Sequence, residues 1–344
     1  MSTAGDIGRI AVFRALMLGD MLCAQPALRA LRAGLPQAEI TLIGLPWAQP
    51  LAARWSCVDR FVAFPSHPGL PESRALDDQL PLFFAAMRAR HFDLALQMHG
   101  NGTVTNGIVA ALGAKRTAAF VTDGDAPEHG IAIAVPWPQH GHEIERCLTL
   151  IDHLGLPRRG LHLEMPLRDD ERRDAAALAG DRMYAIVHPG AQLPSRRWPV
   201  ERFAAVADAL AARGLAIVIT GSAAEASIAK VLVAAMQHPA VDLTGRTSLW
   251  VLAALVERAQ LVVCNDTGIS HVAAATGTPS VVVACGSDVS RWAPLDAERH
   301  RVLWESVPCR PCGYVNCPTA HECALAIDAG GASSAAHQLL NASH

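Results

Sequence analysis

Short apolar, β-branched runs recur along the chain, separated by longer stretches whose apolar residues return every three or four positions. The first pattern predicts strands buried on both faces, the second amphipathic helices. In the first half the strands fall at 9–13, 39–44, 60–64, 93–98, 116–121 and 131–135. In the second half they fall at 184–188, 216–220, 241–243, 261–265, 280–285 and 301–304. Helices are expected at 20–34, 76–90, 200–213, 223–237, 248–258 and 269–276. Pro26 weakens the expectation for the first turns of the first helix, and Asp77 and Asp78 read as surface charge in the second. Strands each followed by a helix argue for parallel sheets covered on both faces.

Two such sets meet near 153–167, where Pro157, Arg158, Arg159 and Gly160 form a hinge-like joint. The expectation is an α/β protein of two Rossmann-like, doubly wound parallel-sheet domains facing a cleft. The first spans 1–160, the second 161–325, and a terminal helix or tail 326–344. In open parallel sheets, ligands bind beyond the carboxyl ends of the strands.

Composition narrows the choice of partner. With 51% apolar and 18% charged residues, the chain can build sizeable cores, so extensive disorder is not expected. A formal net charge of −3 gives no electrostatic case for nucleic acid or an anionic membrane as main partner. The N-terminus lacks a basic segment followed by an apolar core, and no run is long enough to span a bilayer. A cytoplasmic protein is expected. Cys23, Cys57, Cys147, Cys264 and Cys285 sit in apolar settings and read as small buried residues.

The strand ends carry the candidate chemistry. After the first strand, Gly19 and Asp20 open a helix; Asp20 is either an N-cap or a carboxylate placed to take a proton from a substrate hydroxyl. No GxGxxG fingerprint occupies that turn, which disfavours a dinucleotide there. At 186–199, His188 ends a strand, Gly190 turns the chain, and Ser195, Arg196 and Arg197 precede a helix. Adjacent arginines with a hydroxyl suit a phosphate group, a solvated arginine pair being the alternative. In Thr220, Gly221, Ser222 and Glu225, the glycine allows close backbone approach. The carboxylate either accepts ribose hydroxyls or completes a capping box with Ser222. In Asn265, Asp266, Thr267, Gly268 and His271, the Thr267 and Gly268 N–H groups at a helix start form an anion site. Asp266 would repel a bare phosphate, so it either caps the helix or accepts sugar hydroxyls. Three strand ends offering phosphate donors, hydroxyl acceptors and close backbone favour a nucleotide-diphosphate ligand.

The segments HPGAQLPSRRWPVERFAAVADAL, TGSAAE and LTGRTSLWVLAALVERAQLVVCNDTGISHVAAATGTPSVVVACG resemble glycosyltransferase family 9, the lipopolysaccharide heptosyltransferases. So do LGDMLCAQPALRALRAGLPQAEITLIG, DLALQMHGNGTVTN and CRPCGYVNCPTAHEC, and the likeness spans nearly the whole chain. The resemblance implies a GT-B fold and an inverting transfer of heptose from ADP-heptose, releasing ADP, with no catalytic metal. It implies Asp20 as base, Arg196 in the position where the family usually has Lys, and Asp266, Thr267, Gly268 and His271 on donor sugar and diphosphate. Gly190, Ser195, Thr220 and Gly221 fall in the donor-binding segments, with Glu225 near the ribose and Leu249 near the adenine. The acceptor is a lipopolysaccharide-type glycan, a lipid-linked sugar or a protein, with His99, Asn101 and Asn106 as acceptor-side candidates. Peripheral contact with the inner membrane and oligomerisation accompany this reading. A non-catalytic nucleotide-sugar binder and a nonhydrolysing UDP-sugar epimerase of the same fold are the alternatives.

Cys309, Cys312, Cys317 and Cys323 cluster after the last expected strand. Such density in a cytoplasmic chain favours a structural metal, Zn first and Fe second, over disulfides. Free thiols or redox bridges are the other readings. The final Ala-rich stretch reads as a helix, and the resemblance implies that it packs near the N-terminal domain.

Overall fold

The computed structural model describes residues 7–72, 79–122 and 130–342. Asp77 and Asp78 lie outside them. The chain divides into two compact units, Met1–His162 and Leu163–His344.

The first unit holds β1 (Arg9–Phe13), β2 (Glu39–Gly44), β3 (Arg60–Ala63), β4 (Leu94–Gln97), β5 (Arg116–Val121) and β6 (Ile133–Pro136). The second holds β7 (Tyr184–His188), β8 (Ala216–Ile219), β9 (Ala240–Asp242), β10 (Leu261–Asn265), β11 (Ser280–Val283) and β12 (His300–Leu303). The strand orders are β3-β2-β1-β4-β5-β6 and β12-β11-β10-β7-β8-β9, and every neighbouring pair described is parallel. Counted from its own first strand, each sheet follows one doubly wound order. Each therefore has a switch point where the winding reverses: β1 beside β4, and β7 beside β10. The central strands are buried on both faces because helices cover both, which explains their unbroken apolar runs.

Helix Leu18–Gly34 continues through Pro26. Its buried face, including Met21, Leu22, Leu28 and Leu31, packs beside helix Glu143–His153. That burial outweighs the roughly 3 kcal/mol a proline costs inside a helix. Helices Glu143–His153 and Asp169–Ala179 were not expected from the apolar spacing. The first starts at His142, whose Nδ1 accepts the Ile144 N–H at 3.2 Å, a cap outside the usual Ser, Thr, Asp and Asn. The second is polar along most of its length and buries only Glu171 and Ala175.

The final helix, Ala329–Ala342, packs on the second unit. Ala332, Ala335, Ala336, Leu339 and Leu340 belong to the core of the second unit, with Phe203, Val281 and Val283. Its small residues let the helix lie close to helix Val200–Ala211 and to β11. Among the described residues, no helix is long and apolar enough to cross a membrane.

Candidate functional site

The second unit's switch point is organised by a buried amide. Asn265, the last residue of β10, is fully buried. Its Oδ1 accepts the Trp198 backbone N–H at 2.9 Å, and its Nδ2 donates to the Pro189 and Gly190 carbonyls at 2.8 and 3.2 Å. The loop after β7 is thereby bracketed at both ends onto β10. Trp198 anchors it further, its indole N–H donating to the Ile327 carbonyl at 2.9 Å. A polar residue at the end of an apolar strand was the available sequence signal, and its bracing role was missed.

Arg196 and Ser195 lie on that loop. The Arg196 Nη2 donates to the Cys312 carbonyl at 2.6 Å, while its buried Nε has no hydrogen-bond partner among the described residues. A guanidinium with an unused inward donor suits an anionic ligand. Ser195 faces the cysteine-rich segment instead: its hydroxyl donates to the Tyr314 carbonyl at 2.5 Å and its N–H to Val315 at 3.0 Å. Arg197 turns back on the loop, its Nε donating to Ala191 at 2.9 Å, so the two arginines do not act as a pair.

Beyond β7 and β8, the side chains fit tightly. His188 Nδ1 and Thr220 Oγ1 lie 3.0 Å apart. Burial pushes the His188 imidazole below its ordinary pKa, against the attraction of Glu225. Glu225 Oε2 accepts the Ser222 N–H at 2.7 Å and the Ser222 hydroxyl at 2.8 Å, so the capping box exists. The same carboxylate explains Gly190: a Cβ there would lie 1.9 Å from Glu225 Oε1. At Gly221 a Cβ would approach Thr244 Cγ2 at 3.2 Å and Glu225 Oε2 at 3.3 Å. Gly190, Thr220, Gly221 and Glu225 thus form one patch of close backbone with a carboxylate at its centre. Leu249 opens helix Leu249–Arg258, is half-buried, and follows the Ser248 cap.

Helix Gly268–Thr276 begins beyond β10. Its N-cap, Thr267, makes no side-chain cap bond, and the buried Thr267 hydroxyl has no hydrogen-bond partner among the described residues. Neither Asp266 nor Thr267 occupies the first-turn N–H groups as a side-chain cap, which leaves their positive end available to an anion. His271, buried one turn in, meets the Trp292 ring edge-on at 6.2 Å. Burial pushes the Asp266 carboxyl above the ordinary aspartate range, while Ser287, Arg196 and Arg310 draw it down.

The first unit's switch point carries a charge network. Arg14, directly after β1, is buried, and its Nη2 lies 3.0 Å from Glu143 and 3.8 Å from Asp20. Its Nε donates to the Asp20 carbonyl at 2.7 Å, and its Nη1 donates to the Met98 carbonyl. Burial opposes the Arg14 charge, but Cys147, Glu143 and Asp20 raise its pKa above the ordinary arginine value. Asp20 lies in the first turn of its helix, whose N-cap is Met17, so it is not the N-cap. Its side chain keeps 22% exposure. Arg14 and Glu143 were missed; an arginine between the apolar run of β1 and the Gly-Asp turn was the signal.

The acceptor-side candidates have partners within the first unit. Asn106 Nδ2 donates to the Phe120 carbonyl at 2.9 Å, and Asn101 Oδ1 accepts from the Thr103 N–H and hydroxyl at 3.2 and 3.0 Å. His99 stacks on Phe13 with ring centroids 5.5 Å apart, and its Nε2 lies 3.5 Å from Glu72.

Cys323 lies near enough to Cys309, Cys312 and Cys317 to interact with them electrostatically. Among the described residues, no group of three or more His, Cys, Asp or Glu is placed to hold a metal ion. Local bonds hold the segment. The Cys312 N–H is tied to the Gly286 carbonyl at 2.7 Å, Cys317 Sγ lies 3.4 Å from the Thr319 hydroxyl, and Cys309 is exposed.

Residues 82–321 match the model of glycosyltransferase family 9 (heptosyltransferase). Lipopolysaccharide heptosyltransferase 3 of Escherichia coli K12 is 26% identical over 315 residues, 88% of each chain. The family 9 glycosyl transferase structure from Veillonella parvula superimposes with a TM-score of 0.83 at 23% identity, covering 97% of this chain and 98% of that one. The E. coli ADP-heptose lipopolysaccharide heptosyltransferase II superimposes at 0.78 and 21%, covering 98% and 99%. The two units have the GT-B fold that these structures share. On its sequence, and with this fold, the chain belongs to glycosyltransferase family 9, the heptosyltransferases, and is a glycosyltransferase.

Proposed function

We propose that the protein transfers a heptose from ADP-heptose to a hydroxyl of a lipopolysaccharide-type acceptor, with inversion at the anomeric carbon. The observation that carries this reading is the anion site beyond β10: an inward guanidinium donor on Arg196 beside a helix start with no side-chain cap. Its relatives, lipopolysaccharide heptosyltransferases and an ADP-heptose enzyme, support the choice of donor.

In the mechanism, Asp20 takes the proton of the acceptor hydroxyl. Arg14 holds the Asp20 carboxylate in place, and Glu143 balances the Arg14 charge so that Asp20 is not its sole counter-ion. The acceptor oxygen forms its bond to the anomeric carbon as the bond to the diphosphate oxygen breaks, and ADP leaves with that electron pair. Arg196, His271 and the amides of Thr267 and Gly268 meet the charge developing on ADP; one well-placed donor contributes about 3–4 kcal/mol in such a role. Glu225, Thr220, Gly221 and Gly190 receive the ribose, Leu249 the adenine, Ser195 supports Arg196, and Asp266 accepts hydroxyls of the donor sugar. No step requires a metal. The reaction belongs to the cytoplasm, where nucleotide-activated sugars are consumed.

A thermal-shift panel of ADP-, UDP-, GDP- and dTDP-sugars tests the donor. Stabilisation by the ADP compound supports the reading, and stabilisation by another nucleotide alone overturns it. ADP release from ADP-heptose that depends on a truncated lipopolysaccharide acceptor, with NMR of the product linkage, tests the transfer and its inversion.

A further inference from the structure

The cysteine-rich segment carries a cation that the reading above leaves unused. Arg310 is held in a fixed pose: Nε donates to the Glu305 carbonyl at 3.0 Å, Nη2 to Ala284 at 2.8 Å, and Nη1 to Ser287. Its guanidinium lies over the Trp304 ring, 5.5 Å from the centroid. Ala284 is the first residue after β11, and the residue before it, Val283, accepts the Asp266 N–H at 3.1 Å. The guanidinium is therefore pinned beside the turn where Asp266 sits. Asp266 interacts electrostatically with both Arg196 and Arg310.

The two arginines are also joined through backbone. Arg196 Nη2 is held by the carbonyl of Cys312, two residues after Arg310. Ser195 is tied to Tyr314 and Val315, and the Ser195 carbonyl lies 3.0 Å from His321 Nε2. The segment from Glu305 to His321 thus clasps the loop bearing Arg196 at one end and the end of β11 at the other. Two guanidiniums share one carboxylate, which leaves a net positive charge when Asp266 is ionised. Such an excess stays open to an added anion.

We infer that Arg310 is a positioning residue for the terminal phosphate of the nucleoside diphosphate. It fixes the cysteine-rich segment against β11, and through the Cys312 carbonyl it sets the pose of Arg196, while its charge offsets Asp266. This rests on the nucleotide-diphosphate reading of the same site. The three carbonyl bonds need a forked guanidinium; a lysine supplies the charge but not the fork.

The test is calorimetric titration of the full chain with ADP and with AMP. Wild type should bind ADP more tightly than AMP. Arg310→Ala should weaken ADP about tenfold, the scale of one charge-assisted interaction, and leave AMP within about twofold. Arg310→Lys should recover only part of the ADP preference. A merely structural role for Arg310 would weaken AMP and ADP alike, or lower the thermal midpoint without changing their ratio, and either result overturns the inference. Full recovery in Arg310→Lys overturns the carbonyl-fork argument. Should Arg310→Ala not fold, Arg310→Lys carries the test, and an unchanged ADP-to-AMP ratio there sinks the proposal. Wild type binding no ADP would instead sink the donor reading itself.

Discussion

At the end of β1 a buried arginine meets two carboxylates; at the end of β10 a buried amide meets three backbone groups. The two units have the same strand order, so each has its switch point in the same place. What fills that place differs. In the first unit, Arg14 pairs with both Glu143 and Asp20, so the switch point carries charge. In the second, Asn265 braces the loop without adding charge. Arg196 and the helix start then supply the local field. Topology sets where chemistry can occur, and a few buried polar residues set which chemistry it is.

The sharpest way to break this comparison is Asp20→Asn. The loss of a general base should lower turnover about 10²–10⁴-fold while ADP affinity stays at the wild-type value, measured by acceptor-dependent ADP release and by calorimetry. Asn265→Ala removes the brace and strands the Trp198 N–H; urea unfolding should show a loss of about 2–3 kcal/mol and weakened ADP binding. Gly190→Ala forces Glu225 out of its pose, since the added Cβ falls 1.9 Å from Oε1. It should cost about 1–3 kcal/mol, and much of that should return in Gly190→Ala/Glu225→Ala, read as a coupling energy.

Acid should separate the units more gently. Burial lowers the His300 pKa to about 4 from 6.5, and Ser280 Oγ lies 2.8 Å from its Nδ1. A depressed folded pKa means no penalty above 6.5. As pH falls from 6.5 toward 4, the unfolded chain binds a proton the folded one refuses, and stability is lost. His300→Gln should flatten this limb by about 2 kcal/mol at pH 5, measured as the difference in urea midpoints between pH 7 and 5. In the first unit, Lys115 and Arg158 hydrogen bonds hold the carboxyls of Asp93 and Asp152 below their ordinary value of 3.8. Their contributions are present above that value and fade only below it, so hydrogen exchange near pH 5 should show the second unit loosening first.

Much of the fold was legible because both sheets are buried on both faces. β1, β2, β5, β7 and β10 begin and end where the sequence pattern places them. Helix Asp169–Ala179 was illegible for the opposite reason: it buries little, so its periodicity is weak. In the site, Gly190, Thr220, Gly221 and Glu225 could be read from loop residues, but the collision that requires Gly190 could not. That depends on Glu225, 35 positions later, folding back across β8. Arg14, Glu143 and Asn265 act through partners far away in sequence, and local spacing does not encode them. For the cysteines, dense spacing suggested a metal, and among the described residues no group of three or more ligands is placed to hold one.

The most direct test of the division of labour is one calorimetric ADP titration across wild type, Asp20→Asn and Arg196→Ala. The account predicts that Asp20→Asn binds ADP as wild type does and that Arg196→Ala binds it at least about tenfold more weakly. Lost binding in Asp20→Asn with binding retained in Arg196→Ala would contradict it.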